Sequence, residues 1–316
     1  MADLDLLVLG DVNPDLVVSD ATMEVAFGQA ETLVDDAELT IGGSGAIMAC
    51  GAARLELRTV LAGLVGPDQF GEFMLRAVAE RGVDVSGVVV SQEVRTGLTV
   101  VLTRPDDRAI LTFPGGIALM TAADVDGGLV SRARHVHVAS FFLQTGLAPG
   151  LADVLRPARA AGATTSVDPN WDPAEEWDGG LHELLPLIDV LLPNAVEACR
   201  IAGVPDGDPA AAARALAVAG PTVAVKLGAE GAVAAPAGGD GELVWAAPPQ
   251  RVVDAVDAVG AGDAFDAGLI CALLDGRPLG DALAFACACG TLSMRAAGGT
   301  AAQATPAEAR AVSRQA

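Results

Sequence analysis

Residues 256–274 read VDAVGAGDAFDAGLICALL and combine a small flexible turn with an acid and an amphipathic run. A Gly-Ala-Gly turn that opens a helix leaves backbone N–H groups pointing outward, and the helix dipole adds partial positive charge to them. The small residues Gly260, Ala261 and Gly262 would let an anion approach this backbone closely. The turn therefore predicts a site for a phosphate or another anion.

Asp263 follows the turn directly and is the candidate for the chemical step. A carboxylate would repel a bound phosphate, but it suits a base that accepts a proton from an attacking hydroxyl in phosphoryl transfer. An ordinary acid in the first turn of a helix is the alternative. Two other phosphate motifs do not fit, because the third glycine of GxGxxG is absent and no Gly-Lys-Ser/Thr follows the turn.

The composition argues against several classes of partner. The 316 residues include 41 acids and 19 bases, and the net charge of −22 repels nucleic acid phosphates and anionic membranes. No apolar run reaches the roughly 18 residues of a membrane span. The start MADLDLLVLGD is acidic where a signal peptide is basic, and the five cysteines lack zinc-type spacing. We expect a soluble, cytoplasmic protein.

Apolar strands alternate with alanine-rich helical stretches along most of the chain, as in LLVLG followed by AIMACGAARL. This βαβ rhythm predicts a parallel sheet that is covered by helices on both faces. Residues 14–41 and 92–113 break the rhythm with β-rich stretches, and RPDDR in the second is a turn signal. We expect a main α/β domain of residues 1–13, 42–91 and 114–316, with the two insertions forming a small β lid; a purely structural flap is the alternative.

The motif DAVGAGDAFDAG resembles the second signature of the ribokinase-like family, the PfkB carbohydrate kinases, which is usually written DTxGAGDxFxAG. The resemblance covers most of the chain, because further segments are similar to family motifs in the family's order: GDVNPD (10–15), IGGSGAIMACGAARL (41–55), GLVGPDQFG (63–71), DPN (168–170), PNAVE (193–197) and VKLGAEGA (225–232). It implies a three-layer α/β/α fold with a mostly parallel sheet and a small β-sheet lid.

The resemblance also implies a role for each matching residue. Asp263 is expected to be the catalytic base, and the 260–262 turn to form the anion hole for the transferred phosphoryl group. The residues expected to contact the acceptor together with Asp263 are Asn13, Asp15, Gly42 and Gly43.

The nucleotide and the cations have expected ligands of their own. The residues expected to line ATP are Lys226, Gly228, Gly231, Asn194 and Gly262. Asn194 and Glu197 are expected to face magnesium and its waters, which suits an ion that keeps several waters. Asp257 is expected to help hold a monovalent cation such as potassium.

Several of these residues have structural alternatives. Asn194 suits a helix N-cap and Asp15 a strand-end turn, while Gly228 and Gly231 suit a hairpin. We interpret His135 and His137, which alternate along a strand, as structural rather than as metal ligands. The segment at Phe141, Phe142 and Gln144 follows that strand, and both a substrate wall and core packing remain open for it.

Four positions depart from the family pattern. Ser44 and Ile47 stand where ribokinase has lysine and asparagine, Asp172 where DxNxR relatives carry arginine, and Ala258 replaces the threonine of DTxGAGD. Sugar phosphates and sugar acids need cationic residues in the acceptor pocket. We therefore favour a neutral acceptor, although the cationic residues Arg95 and Arg108 on the lid segment could reverse that judgement.

The expected function is ATP-dependent transfer of the γ-phosphoryl group to a hydroxymethyl group of a neutral sugar or sugar-like acceptor. A nucleoside kinase of the same family is an alternative if Ile47 faces a base. A catalytically silent sugar-binding regulatory protein is another, although a pure binder needs no base such as Asp263. A homodimer through the β lid is the expected assembly.

Overall fold

The computed structural model describes residues 3–20, 25, 27–104, 107–249 and 255–314. The strands within these ranges are β1 (Leu4–Leu9), β2 (Pro14–Ser19), β3 (Asp36–Ile41), β4 (Thr59–Val65), β5 (Asp84–Val90), β6 (Leu98–Arg104), β7 (Asp107–Phe113), β8 (Ala133–Val138), β9 (Thr164–Val167), β10 (Val190–Leu191), β11 (Thr222–Lys226), β12 (Ala232–Ala235) and β13 (Val244–Ala246).

The α-helices of the described ranges are α1 (Ser44–Arg54), α2 (Gln69–Glu80), α3 (Gly116–Leu119), α4 (Gly127–Arg132), α5 (Leu151–Ala160), α6 (Leu181–Leu184), α7 (Ala195–Ala202), α8 (Pro209–Ala217), α9 (Ala261–Leu274), α10 (Leu279–Ser293) and α11 (Pro306–Ser313). As expected from its sequence, α11 begins with a capping box in which the Thr305 and Glu308 side chains satisfy each other's backbone N–H groups.

The large sheet has the order β13-β12-β11-β10-β9-β8-β1-β4-β5. Neighbouring strands from β11 to β5 in this order pair in parallel, whereas the pairs β11–β12 and β12–β13 at one edge are antiparallel. The prediction of a mostly parallel sheet is therefore confirmed.

The strand β1 shows why the strands read as continuous apolar runs. All six of its residues are buried, because both faces of the sheet are covered. Leu7 and Leu9 pack in a core cluster that includes residues of α4, α5, α7 and α8. Leu6 and Val8 point to the opposite face, where they pack in a second cluster with residues of α1, α2, α9 and α10. The alternation of side chains along one strand thus fills two separate cores.

The second sheet has the order β3-β2-β6-β7 and lies within the two insertions. Its pairs β2–β3 and β6–β7 are antiparallel, whereas β2 and β6 run in parallel. Pro105 and Asp106 of the RPDDR turn lie outside the described residues, but Arg104 pairs with Asp107 across the end of the β6–β7 ladder. The insertions therefore form a small sheet of their own.

Polar residues gather where the parallel strands end. Asp11 follows β1, Ser140 follows β8, Asp168 follows β9, Asn194 follows β10, and Lys226 is the last residue of β11. The carboxyl ends of parallel strands meet at one edge of a sheet, which is where open α/β sheets bind ligands. The topology thus brings these residues to one edge from five distant parts of the sequence.

The cysteines and the apolar segments were the subject of two sequence expectations. All five cysteines are free and buried. Within the described ranges, no helix has both the length and the apolar character that crossing a membrane requires.

Gly45 gives a test of the packing between α1 and β1. An added Cβ would lie only 2.8 Å from the Gly10 Cα and 3.0 Å from the Asp11 amide nitrogen. We expect Gly45→Ala to lower the free energy of unfolding by about 2 kcal/mol, because the backbone would have to move apart. Urea unfolding would measure the change.

The matched control is Gly127→Ala at the start of α4, where an added Cβ meets no atom within 4 Å. It should change the free energy of unfolding by no more than about 0.5 kcal/mol. Equal unfolding midpoints for the two variants would contradict the close approach of α1 to β1.

Candidate active site

The turn before α9 requires glycine at its first position for two reasons. Gly260 has φ 72°, in the left-handed region, and an added Cβ would lie 2.6 Å from the Gly299 Cα. Gly262 and Asp263 follow in the first turn of the 14-residue helix, where N–H groups lack intrahelical acceptors. This geometry can bind an anion at the positive end of the helix dipole.

Ile47 packs against this turn. It is 3% exposed, and its side chain lies against the backbone of Gly260 and Gly299. The structure therefore gives Ile47 a packing role under the turn and offers no support for a position on the acceptor wall.

Asp263 lies over a buried group of charged side chains. Its carboxylate oxygens lie within 4.8 Å of those of Asp168 and Asp266. The Lys226 Nζ is 2.7 Å from Asp168 Oδ2 and 3.2 Å from Asp266 Oδ2. We name Lys226, Asp168 and Asp266 the Lys226 cluster; all three side chains are almost inaccessible to solvent.

The surroundings shift the protonation of these acids. Burial raises the pKa of Asp263 to about 8, and the negative charge of Asp168 adds to the rise while Lys226 opposes it. Burial alone would also raise the pKa of Asp168, but the Lys226 ammonium brings it below its ordinary value. Burial holds the pKa of Asp266 well above its usual range. The site thus combines a carboxyl group that can exchange a proton near neutral pH with a fixed ion pair.

Asn13 and Asp15 form a second group, next to the small sheet. Both are buried, and the Asn13 side-chain amide donates to Thr99 Oγ1 on β6 at 3.2 Å. The Asn13 Oδ1 is buried and has no hydrogen-bond partner among the described residues. Burial, assisted by the nearby Asp11, raises the pKa of Asp15 to about 7. An unpaired buried oxygen fits a ligand that donates a hydrogen bond, such as a hydroxyl group.

Gly42 and Gly43 make room for this second group. A Cβ at Gly42 would lie 1.9 Å from Asp15 Oδ1, and a Cβ at Gly43 would lie 2.8 Å from Asn13 Oδ1. Gly43 also has φ 77°. The structure thus brings together the four residues predicted to contact the acceptor.

Asp11 lies near both Asp15 and Asp263, and the sequence analysis gave it no role. Its carboxylate accepts hydrogen bonds from the Ser44 and Gly45 amides at 3.0 and 2.7 Å and from the Ser140 hydroxyl at 3.1 Å. The nearby Ser44 side chain lowers the pKa of Asp263 and so favours the ionised form of that acid. Asp11 lies within GDVNPD, so the motif contained a signal for it.

Ser140 and Asn170 were also missed. They have φ 51° and 57°, in the left-handed region that residues other than glycine seldom adopt. The Asn170 amide donates to Ser140 Oγ at 3.0 Å, and its backbone N–H donates to Asp168 Oδ1 at 2.8 Å. These bonds fix two unusual backbone conformations beside the Lys226 cluster, as is common at functional sites.

Asp266 had a signal that the sequence interpretation did not use. It follows Asp263 by three positions in α9, and residues three apart share a helix face. Asp168 lies in the DPN motif but was not assigned a role in the site.

Asn194 and Glu197 form a capping box at the start of α7. The Glu197 carboxylate accepts from the backbone N–H and the side-chain amide of Asn194, and Asn194 Oδ1 accepts from the Glu197 N–H. Burial, with a smaller effect of Asp168, raises the pKa of Glu197 to about 7. The capping role of Asn194 is confirmed. Because the two side chains satisfy each other, this pair fits contact with magnesium through water better than direct coordination.

Gly228 and Gly231 lie in the connection between β11 and β12. Both have positive φ, but their surroundings differ. An added Cβ at Gly231 would lie 2.1 Å from the Ala246 carbonyl oxygen, whereas one at Gly228 would meet no atom within 4 Å. The hairpin therefore requires glycine at 231, and only Gly228 borders open space. The contact of Gly228 or Gly231 with a nucleotide stays a prediction. The contact of Lys226 with a nucleotide stays a prediction too, and its Nζ is held in the Lys226 cluster.

Asp257 connects two segments beside the turn. Its carboxylate accepts from the Val259 and Gly298 amides at 2.9 and 3.0 Å. These two bonds leave oxygen lone pairs available, so the group fits a cation at this place. Ala258 lies exposed next to it.

The remaining polar candidates serve the fold. His135 is hydrogen-bonded to Thr164 and Ser166, and His137 to Ser166, inside the core. The Asp172 carboxylate accepts from the backbone N–H groups of residues 174, 176 and 177. The side chains at 141, 142 and 144 are buried, and Gln144 donates to the Ala139 carbonyl, which favours core packing over a substrate wall.

Comparisons with known proteins agree with this geometry. The model of the pfkB family carbohydrate kinases matches residues 3–306. The chain is 32% identical over 277 residues to 2-dehydro-3-deoxygluconokinase of Bacillus subtilis, with 82% of each chain covered. It is 31% identical over 297 residues to ATP-dependent ribose-1-phosphate kinase of Halopiger xanaduensis, with 91% of each covered.

A solved structure shows the same fold. Ribokinase of Arabidopsis thaliana, complexed with ribose and ATP, superimposes with a TM-score of 0.83 at 24% identity, and the match covers 100% of both chains. The fold prediction is thereby confirmed, and so is the resemblance on which it depended. The chain belongs to the pfkB family of carbohydrate kinases, which are phosphotransferases with an alcohol group as acceptor.

Proposed function

We propose that this protein transfers the γ-phosphoryl group of ATP to a hydroxymethyl group of a neutral sugar or sugar-like molecule. The observation that carries the proposal is Asp263, a half-buried acid that can exchange a proton near neutral pH and directly follows an anion-binding turn. Family membership supplies the reaction class, and the residues around Asp263 supply the roles.

The proposed reaction begins with the acceptor bound between the two groups of polar residues. The oxygens of Asn13 and Asp15 accept hydrogen bonds from its hydroxyls, while its reacting hydroxyl donates to Asp263. As the acceptor oxygen forms its bond to the γ-phosphorus, the hydroxyl proton passes to the Asp263 carboxylate and the bond to the ADP oxygen breaks. The amides of the turn stabilise the negative charge on the transferred group.

Two cations complete the proposal. Magnesium, which kinases use to neutralise phosphate charge, would be held through water by Asn194 and Glu197. Asp257 would help hold a monovalent cation such as potassium beside the turn. The proposed nucleotide contacts are Gly228 and the turn at Gly262, together with the stem of Lys226.

Three positions that were considered for a cation in the acceptor pocket favour a neutral acceptor. The chain has a single lysine, Lys226, and its ammonium is held between two acids. Asp172 stands where some relatives carry arginine and binds backbone amides instead. The Arg95 guanidinium stacks on the ring of Phe113 at 5.2 Å. The Halopiger xanaduensis relative acts on a sugar phosphate, so family membership alone does not decide the acceptor.

The alternatives lose support. A nucleoside kinase was favoured by an Ile47 side chain facing a base, but that side chain packs under the turn. A silent sugar-binding protein would not need the raised pKa of Asp263 over a buried ion pair.

We also propose that the small sheet is a lid over the acceptor and the contact surface of a homodimer. Apolar side chains remain exposed on both of its faces: Leu39 is 37%, Leu111 61% and Phe113 45% exposed on one face, and Ile110 is 56% exposed on the other. A second copy would cover such a surface, since exposed apolar patches mark interaction sites.

We propose that the protein is cytoplasmic, because free cysteines stay reduced in the cytoplasm.

Asp263→Asn tests the central role of the base. We expect kcat to fall about 10²- to 10⁴-fold, because the acceptor hydroxyl loses its proton acceptor, while acceptor binding persists. ADP release with Mg-ATP would be measured over a panel of neutral sugars, nucleosides, a sugar acid and a sugar phosphate. The control is Asp275→Asn, an exposed acid that follows the other end of α9.

The outcomes of that panel are distinct. The proposal is supported if the protein phosphorylates a neutral sugar and if Asp263→Asn, but not Asp275→Asn, lowers the rate. Faster turnover of the acid or the phosphate would contradict the neutral acceptor, and sugar binding without turnover would indicate the silent binder.

The raised pKa of Asp263 predicts a pH dependence. The base must be ionised, so kcat/KM should fall as the pH drops below about 8 and reach a plateau above it. The profile would be measured with saturating Mg-ATP across the neutral and alkaline range. A profile that stays flat down to the ordinary aspartate range would contradict the effect of burial on this group.

Ile110→Glu with Leu111→Glu tests the dimer. Both side chains are exposed on β7, and we expect two buried negative charges to dissociate the dimer. Sedimentation velocity would measure the change. Val218→Glu, at a 69% exposed apolar residue after α8, is the control that should leave the dimer intact. A wild-type protein that sediments as a monomer at all concentrations would refute the proposal.

A further inference from the structure

We infer that Lys226 and Asp168 are positioning residues for the base: the balance of charge in the Lys226 cluster sets the pH at which Asp263 can accept a proton. This inference rests on the proposed role of Asp263. It gives a function to the Lys226 ammonium and to two buried acids, whose polar groups contact one another.

The geometry places a positive charge directly beneath the turn. A Cβ added to Gly262 would lie 3.6 Å from the Lys226 Nζ. The Lys226 side chain is 14% exposed, and those of Asp168 and Asp266 are 8% and 1% exposed. Charges act strongly on one another where water is excluded, so each member of the cluster affects the base above it.

The cluster is balanced internally. Lys226 pairs with Asp168 at 2.7 Å and holds the pKa of that acid below its ordinary value, whereas burial, with the added effect of the negative charge of Asp168, favours the protonated form of Asp266. Burial would lower the pKa of Lys226, but the neighbouring acids raise it above its ordinary value. The cluster therefore carries one positive and one negative charge, and its net charge is zero.

The two charges act on Asp263 in opposite directions. The negative charge of Asp168 favours the protonated base, and the positive charge of Lys226 favours the ionised base. Other elements also face Asp263: Asp11 after β1 raises its pKa, while the Ser44 hydroxyl at the start of α1 lowers it. Removing one charge of the cluster should therefore move the protonation of the base in a direction that the sign of that charge determines.

The arrangement also bears on whether the three acids hold a metal ion. Three carboxylates within 4.8 Å of one another are a common cation site, but the Lys226 ammonium already contacts two of them. A lysine in this position supplies the positive charge that a metal would otherwise bring.

Three variants separate an electrostatic role from a structural one. The double variant Asp168→Asn with Asp266→Asn keeps only the positive charge of Lys226. Lys226→Met removes that positive charge and keeps both acids. The triple variant combines all three substitutions and has no net charge, like the original cluster. We expect the first to lower the pKa of Asp263 and the second to raise it, each by roughly one to three units. The triple variant should return toward the wild-type value, although it changes the structure most.

Two readouts decide the outcome. The first is the acid limb of the pH profile of kcat/KM. The second is NMR titration of carboxyl groups in ¹³C-labelled aspartate, with the Asp263 signal assigned by its loss in Asp263→Asn. Asp206→Asn and Arg200→Met, which remove one exposed charge each from a surface ion pair, are the controls and should leave both readouts unchanged.

Shifts of opposite sign that cancel in the triple variant would support the inference. Shifts in one direction, or a triple variant as displaced as the others, would overturn it. If Lys226→Met does not fold, the double and triple variants still decide the question. If the wild type phosphorylates no acceptor, the proposed function fails, while the NMR titration still tests the effect of the cluster on Asp263.

Discussion

The ion pair between Lys226 and Asp168 joins parts of the chain that are far apart in the sequence. Lys226 ends β11, Asp168 follows β9, and Asp266 lies in α9, so three elements are fixed to one another by one ammonium group. A buried charge must be compensated where it lies, because leaving it unpaired in the core is very costly. This constraint fixes the start of α9, and with it the turn and the base, against the edge of the sheet.

Asp11 plays a comparable part on the acceptor side. By accepting hydrogen bonds from α1 and from Ser140, it fixes the start of α1 against the end of β1. The glycines before α1 then leave space for Asn13 and Asp15. In both halves of the site a buried carboxylate after a strand ties a helix to the edge of the sheet: Asp11 binds the start of α1 directly, and Asp168 is joined to Asp266 of α9 through Lys226. The ends of strands and the starts of helices thus set the distance between the group around Asn13 and Asp263.

The fold and the glycine turn before Asp263 could be predicted from the sequence, because both depend on local patterns. Apolar strands, alanine-rich helices and the glycine turn before Asp263 are all readable in short stretches of the sequence. The role of Lys226 was not readable, since a lysine that lines a nucleotide and one that pairs with buried acids look alike in a motif. Ile47 shows the same difficulty: an apolar side chain in a motif can face a ligand or the core, and the folded chain buries this one under the turn.

The central claim is that Asp263 serves phosphoryl transfer to the hydroxymethyl group of a neutral sugar. The most direct measurement is ³¹P NMR of a reaction with Mg-ATP and a neutral sugar that the protein binds. The account predicts a new phosphomonoester signal, formed in step with ADP and split by two protons of the adjacent CH₂ group. The appearance of ADP with inorganic phosphate alone, or a phosphomonoester coupled to a single proton, would contradict it.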